Sequence, residues 1–191
     1  YATNLNTQCC GTATAIEIGS AVKTIASKAF YGCSTVTSVD FAGAGAVLSI
    51  GSDAFQGTSI TLLDLSGLTN LTSIGPSMSG YKWGGPYSFR NMAKLVSVKL
   101  AGTVTYIGYQ AFYNNDALTN IDFSNAKNLL KIEDSAFRTC DALVKIDFSG
   151  ASNLVTIGSK AFRECKALES VDFSGATKLA TIGSTAFYEC S

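Results

Sequence analysis

Histidine is missing from this 191-residue chain, tryptophan occurs once and proline twice. The lack of histidine removes the commonest general base and the commonest metal ligand. Neither sign of charge is in excess, because 14 Lys and Arg face 14 Asp and Glu. A nucleic-acid binder needs a basic surplus to neutralise phosphates, so no nucleic-acid partner is expected. No apolar run reaches the roughly 18 residues of a membrane span, so no membrane insertion is expected either. A phosphate-cradling glycine loop is also absent, since Gly158-Ser159-Lys160 lacks the P-loop spacing. The chain opens at Tyr1 without an initiator Met, and its first residues do not read as a signal peptide. With Tyr1 at one end and Cys190-Ser191 stopping in mid-motif, the chain reads as a processed or excised piece of a larger precursor. What the sequence does have is apolar residues, 47% of the total, enough for a sizeable core in one domain.

Those residues recur with a fixed period. Ile157-Gly158-Ser159-Lys160-Ala161-Phe162-Arg163-Glu164-Cys165 returns as Ile182-Gly183-Ser184-Thr185-Ala186-Phe187-Tyr188-Glu189-Cys190. Stepping back finds Ile132 with Phe137 and Cys140, Ile107 with Phe112, Ile50 with Phe55, and Ile25 with Phe30 and Cys33. The second half of the unit repeats as well: Leu168-x-x-Val171-Asp172-Phe173 echoes Leu143-x-x-Ile146-Asp147-Phe148 and Leu118-x-x-Ile121-Asp122-Phe123. The whole chain, 1–191, divides into an N-terminal half-unit (1–24), units starting at 25, 50, 74, 107, 132 and 157, and a C-terminal half-unit (182–191). Val171 and Phe173 alternate with polar residues, which predicts one short strand per coil with one face buried. The Ile-Gly-x-x-Ala-Phe-x-x-Cys part is too short for a lone helix and predicts a tight turn, with or without one helical turn. No unit can bury its own apolar set, so stacked neighbours must share a core.

The combined pattern, Ile-Gly-x-x-Ala-Phe-x-x-Cys-x-x-Leu-x-x-Ile/Val-Asp-Phe, resembles the BspA-like, or Treponema-type, leucine-rich repeat over about residues 10–191. The resemblance implies surface or secreted proteins used in adhesion and protein binding. The expected fold is a leucine-rich-repeat solenoid: a right-handed, curved, β-rich superhelix of the α/β type. One parallel sheet would line its concave face, with short turns or helical turns on the convex wall. The Asn ladder of commoner leucine-rich repeats is not expected, because Ala44, Ala126, Ala151 and Ala176 stand in its place.

The unit from Ile74 to Ile107 is longer than the others. Its surplus, Pro76 to Tyr87, holds both prolines and the tryptophan. An insertion must loop off the stack. Tyr81, Trp83 and Tyr87 are then either contact residues for a partner or a cover for the adjacent wall. The two chain ends read as complementary half-units without polar caps, which fits a truncated or longer array, or a head-to-tail fibre whose copies complete one another.

Candidate chemistry is sparse. Cys33, Cys140, Cys165 and Cys190 share one repeat position with Cys10, and Thr58 and Asn115 also occupy it. Buried thiols are the favoured reading there. A disulfide is expected, if anywhere, among Cys9, Cys10 and Cys33. Asp40, Asp64, Asp122, Asp147 and Asp172 share one outward strand position. Like charges at strand spacing need offsetting by donors such as Lys145 and Ser170, by a cation, or by a basic partner. Asn70-Leu71-Thr72 is a single glycosylation sequon. Together these features predict a non-catalytic, cofactor-free module, extracellular or at the cell surface, that binds a protein or glycan. The alternative is a structural subunit of an extracellular fibre that associates end to end.

Overall fold

The computed structural model describes residues 11–75 and 87–190. They form a parallel β-solenoid of about six turns. Each coil carries two strands where the sequence pattern predicts one. The first column holds the Val/Ile-Asp segments: β1 (Ala15–Glu17), β3 (Ser38–Asp40), β5 (Leu62–Asp64), β7 (Ser97–Lys99), β9 (Asn120–Asp122), β11 (Lys145–Asp147) and β13 (Ser170–Asp172). The second holds the repeat isoleucines: β2 (Thr24–Ile25), β4 (Ser49–Ile50), β6 (Ser73–Ile74), β8 (Tyr106–Ile107), β10 (Lys131–Ile132), β12 (Thr156–Ile157) and β14 (Thr181–Ile182). All pairing is parallel and places like on like: Ile132 lies against Ile107 and Ile157, and Asp147 against Asp172. The missed strands are two residues long, too short to show an alternating pattern.

The Ala-Phe segments form turns, and no helix occurs among the described residues. Two positions per coil have the left-handed backbone. Lys160 (φ 59) and Glu164 (φ 64) occupy them in one coil, and Ser135 (φ 58) and Thr139 (φ 57) in the coil before. The alternation closes the turn and aims its N–H groups at the next coil. Lys160, Phe162 and Glu164 donate to the carbonyls of Ser184, Ala186 and Tyr188 at 3.0, 2.8 and 2.8 Å. The turns are therefore cross-linked between coils as the strands are. Gly32 and Gly57 take the second left-handed position in the first two coils, where they carry no Cβ penalty. Thr139 is β-branched and pays that penalty in full, about 1–2 kcal/mol. Thr139→Gly is accordingly expected to raise the melting temperature, by up to about 1 kcal/mol of stability after the entropic cost of glycine. A fall would show that the Thr139 hydroxyl's bond to the Arg138 carbonyl (2.6 Å) outweighs the strain.

Phenylalanine fills the interior in single file. Phe30, Phe55, Phe89, Phe112, Phe137, Phe162 and Phe187 stack with ring centroids 5.1–5.7 Å apart. Phe123, Phe148 and Phe173 form a second file and meet the first edge-on at 6.2–6.5 Å. Phe89 sits in the first file, so the chain regains register after the insertion. Ser88 takes the alanine place and is buried, its hydroxyl donating to the Ile50 carbonyl at 2.9 Å.

Candidate functional site

The outward positions of the first strand column are the most regular surface feature. Glu17, Asp40, Asp64, Lys99, Asp122, Asp147 and Asp172 follow one another along it, with Glu17 facing Asp40 and Lys99 sitting between Asp64 and Asp122. Each aspartate also holds the turn that follows its strand. Its Oδ1 accepts the backbone N–H two residues on: Ala42 for Asp40 (2.6 Å), Ser66 for Asp64 (2.9 Å), Ser124 for Asp122 (2.8 Å), Ser149 for Asp147 (2.9 Å) and Ser174 for Asp172 (2.8 Å). Lysine supplies part of the compensation, as Lys99 lies 3.7 Å from Asp64 and Lys145 3.5 Å from Asp147. A shallow depression lined by Asn120, Asp122, Ser124, Asp147 and Ser149 runs beside the column.

The hydrogen bonds mark these carboxylates electrostatically. Bonds from Ser149 hold the Asp147 carboxyl below the ordinary value, with Lys145 adding to the effect. The backbone N–H of Ser174 does the same for Asp172. At Asp64 partial burial opposes ionisation but is outweighed by Ser66 and Lys99. A depressed folded-state pKa means stability that is present above the unfolded value, near about 4, and is lost as pH falls through the folded value. Thermal stability of the wild type is expected to fall as pH drops from about 5 towards 2. Asp64→Asn, Asp147→Asn and Asp172→Asn together should flatten that slope, since asparagine keeps the turn acceptor without titrating. An unchanged slope would place the acid sensitivity elsewhere.

The cysteine position has a shared task. The Sγ of Cys140, Cys165 and Cys190 donates to the carbonyl of the phenylalanine in the preceding coil: Phe112 at 3.4 Å, Phe137 at 3.3 Å and Phe162 at 3.0 Å. Asn115 performs it with its amide, Nδ2 donating to the Phe89 carbonyl at 3.0 Å while Oδ1 accepts the Met92 N–H at 2.7 Å. Thr58 instead bonds the Phe55 carbonyl of its own coil at 2.8 Å. The place thus accepts small side chains that carry a donor. Cys33 is disulfide-bonded, and Cys9 and Cys10 lie outside the described residues. Asparagine does build a ladder in this protein, although not at the Ala44, Ala126 and Ala151 position, which is buried. Asn128 and Asn153, two residues further on, reach back to the carbonyls of Gly102 and Lys127 at 2.7 Å. Asn70, the sequon residue, does likewise with Gly45 at 2.6 Å, so its amide nitrogen already ties two coils together.

On the turn wall, aromatic and charged side chains alternate. Tyr87, the last residue of the insertion, is half-buried: its ring lies 6.0 Å from that of Tyr109, and the Arg90 guanidinium sits 4.0 Å above it. Arg90 also pairs with Asp53 at 2.7 Å. Further along, Arg138 and Arg163 converge on Glu164 at 3.1 and 3.0 Å, and Arg163 covers Tyr188. Burial opposes ionisation of Glu164, but the two arginines overcome it and lower its pKa. Sequence reasoning missed the Arg90–Asp53 and Arg138–Glu164 pairs, because their members lie 37 and 26 residues apart and only the coil register brings them together. The other two loop candidates, Tyr81 and Trp83, lie outside the described residues.

Stacked parallel coils that repeat one apolar interior define a leucine-rich-repeat solenoid. The BspA type leucine rich repeat region matches residues 6–79 and 85–191 in six copies, and the chain belongs to that family. Two solved structures share the fold. One is a leucine-rich repeat protein from Bacteroides ovatus, 24% identical with a TM-score of 0.63, matched over 93% of this chain and 46% of that one. The other is the Treponema pallidum leucine rich repeat protein, 23% identical with a TM-score of 0.52, matched over 91% of this chain and 70% of that one. The chain thus spans less than half the length of the first. Among curated proteins no significant match is found.

Proposed function

We propose that the chain is a non-catalytic binding module of the cell surface or extracellular space, and that the outward face of its three-residue strands receives the partner. The observation that carries this reading is the in-register charged column. Asp122, Asp147 and Asp172 stand on consecutive coils, and each uses its Oδ1 on its own turn. A line of one sign at coil spacing steers a partner of the opposite sign, so the partner is a basic protein segment. Family membership supports the reading, since repeats of this kind typically serve as binding modules. Among the described residues no helix is long and apolar enough to cross a membrane. The test is binding of a fluorescent decalysine peptide at low and high salt. Asp122→Asn, Asp147→Asn and Asp172→Asn together should weaken the low-salt affinity about tenfold and leave the melting curve in place at neutral pH. Equal affinity in both proteins would remove the acidic column from the account.

A second reading, a subunit of a head-to-tail fibre, draws on the coil at 182–190. Ile182 is 50% exposed there, whereas Ile132 and Ile157 are fully covered by their neighbours. A second copy stacked on β14 would bury it. Electron microscopy of the purified chain separates the readings, with rods expected for the fibre and single particles for the module.

A further inference from the structure

The outward face of the three-residue strands has a second row, one residue before each inward Val, Ile or Leu. Ala15, Ser38, Ser97, Asn120, Lys145 and Ser170 occupy it, each small or polar. The coil between Ser38 and Ser97 departs from this rule with Leu62, which is 56% exposed, the most exposed large apolar side chain among the described residues. Its in-register neighbour Ser97 is too small to cover it. Leucine is not needed there for the core, because the next residue, Leu63, points inward and is fully buried. Val96 of the following coil, whose N–H donates to the Thr61 carbonyl at 2.8 Å, is 40% exposed as well. The charged row breaks at the same level. Lys99 interrupts the acidic column one coil after Leu62, between Asp64 and Asp122. It lies 3.7 Å from Asp64, the residue two places after Leu62 on its own strand. The column therefore consists of two acidic runs, Glu17, Asp40 and Asp64 before the break and Asp122, Asp147 and Asp172 after it. An aliphatic side chain and a cation stand between them.

We infer, on the reading that this strand face receives a basic protein segment, that Leu62 is its apolar anchor and that the segment's cations are interrupted by one large aliphatic side chain. Both exceptions select that contact. A cation opposite Lys99 is repelled, and one over Leu62 loses water without gaining a partner. An aliphatic side chain at the same level covers Leu62 and removes apolar area from water on both sides. Cations flanking the interruption meet the two acidic runs. An apolar contact at the centre with charges around it is the arrangement in which interfaces concentrate their binding energy. The charges bring the segment to the face, and the leucine fixes its register along the column.

The test titrates two fluorescent peptides of equal charge into the full chain at low salt, each with three lysines on either side of a central leucine or a central serine. The leucine peptide is expected to bind about fivefold tighter, the factor for covering a half-exposed leucine. Leu62→Ser should remove that advantage while leaving the serine peptide's affinity and the melting curve unchanged. Equal affinity of the two peptides for the wild type, or a leucine preference that survives Leu62→Ser, would overturn the inference. The protein carrying Asp122→Asn, Asp147→Asn and Asp172→Asn tells that failure from failure of the docking face itself. Weaker binding of both peptides there keeps the acidic column as the face, whereas undiminished binding removes the face and the anchor together. Self-association of the wild type that Leu62→Ser abolishes would seat a second copy on Leu62 and likewise overturn the inference.

Discussion

Phe137→Ala is expected to destabilise the fold by about 3–5 kcal/mol, the range for deleting a large buried aromatic side chain. Its ring is stacked between Phe112 at 5.1 Å and Phe162 at 5.2 Å and is met edge-on by Phe123 at 6.5 Å. The side chain is fully buried, and the coils above and below are tied to each other's turns by backbone bonds on both sides of the ring. The cavity cannot easily collapse, because collapse would break that register. A total stability of about 5–15 kcal/mol leaves little margin for such a loss. Phe187→Ala should cost clearly less, since that ring stacks on one neighbour of its file and is only partly buried. Urea unfolding of both variants checks the pair. A near-neutral Phe137→Ala would mean that the phenylalanine file is not the core.

The second large effect is expected from Asn115→Ala. Asn115 is fully buried in a position that other coils fill with cysteine, and it satisfies two backbone groups, the Phe89 carbonyl and the Met92 N–H. Truncation leaves both without a partner in an apolar interior, at about 1–3 kcal/mol each. It also opens a cavity next to the coil that follows the insertion. Asn115→Cys should recover part of the loss, because a thiol there can donate to the Phe89 carbonyl as Cys140 does to Phe112. If alanine and cysteine proved equally mild, the amide would be filling space rather than bridging coils.

The repeat and its shared interior were legible in the sequence because a 25-residue period writes the same inward residues over and over. Even the lengthened unit gave itself away, since Ser88-Phe89 resumes the pattern after the insertion and Phe89 stacks where the spacing puts it. The second strand column was not legible, because pairs such as Thr156–Ile157 are too short to carry a period. Nor were the left-handed turns: Gly32 and Gly57 hint at them, but asparagine, threonine and glutamate fill the equivalent places elsewhere. For the aspartates the position was readable and the local duty was not. The cue was the serine two residues after Asp64, Asp122, Asp147 and Asp172, which marks a side-chain-capped turn rather than bare repulsion along a ladder. Side chains that work between coils, such as Arg138 on Glu164, become visible only when the register is known.

The central claim is that coils stack as interchangeable layers, each incomplete alone and each completed by a neighbour of the same kind. Removing one full period tests it most directly. Deleting Ile132 through Thr156 brings Ile157 onto Ile107 and keeps every inward column in phase. This shortened chain is predicted to remain β-rich by circular dichroism and to unfold cooperatively at a lower temperature. Deleting only Ile132 through Val144 breaks the phase and should abolish folding. A whole-period deletion that unfolds as completely as the half-period one would contradict the account.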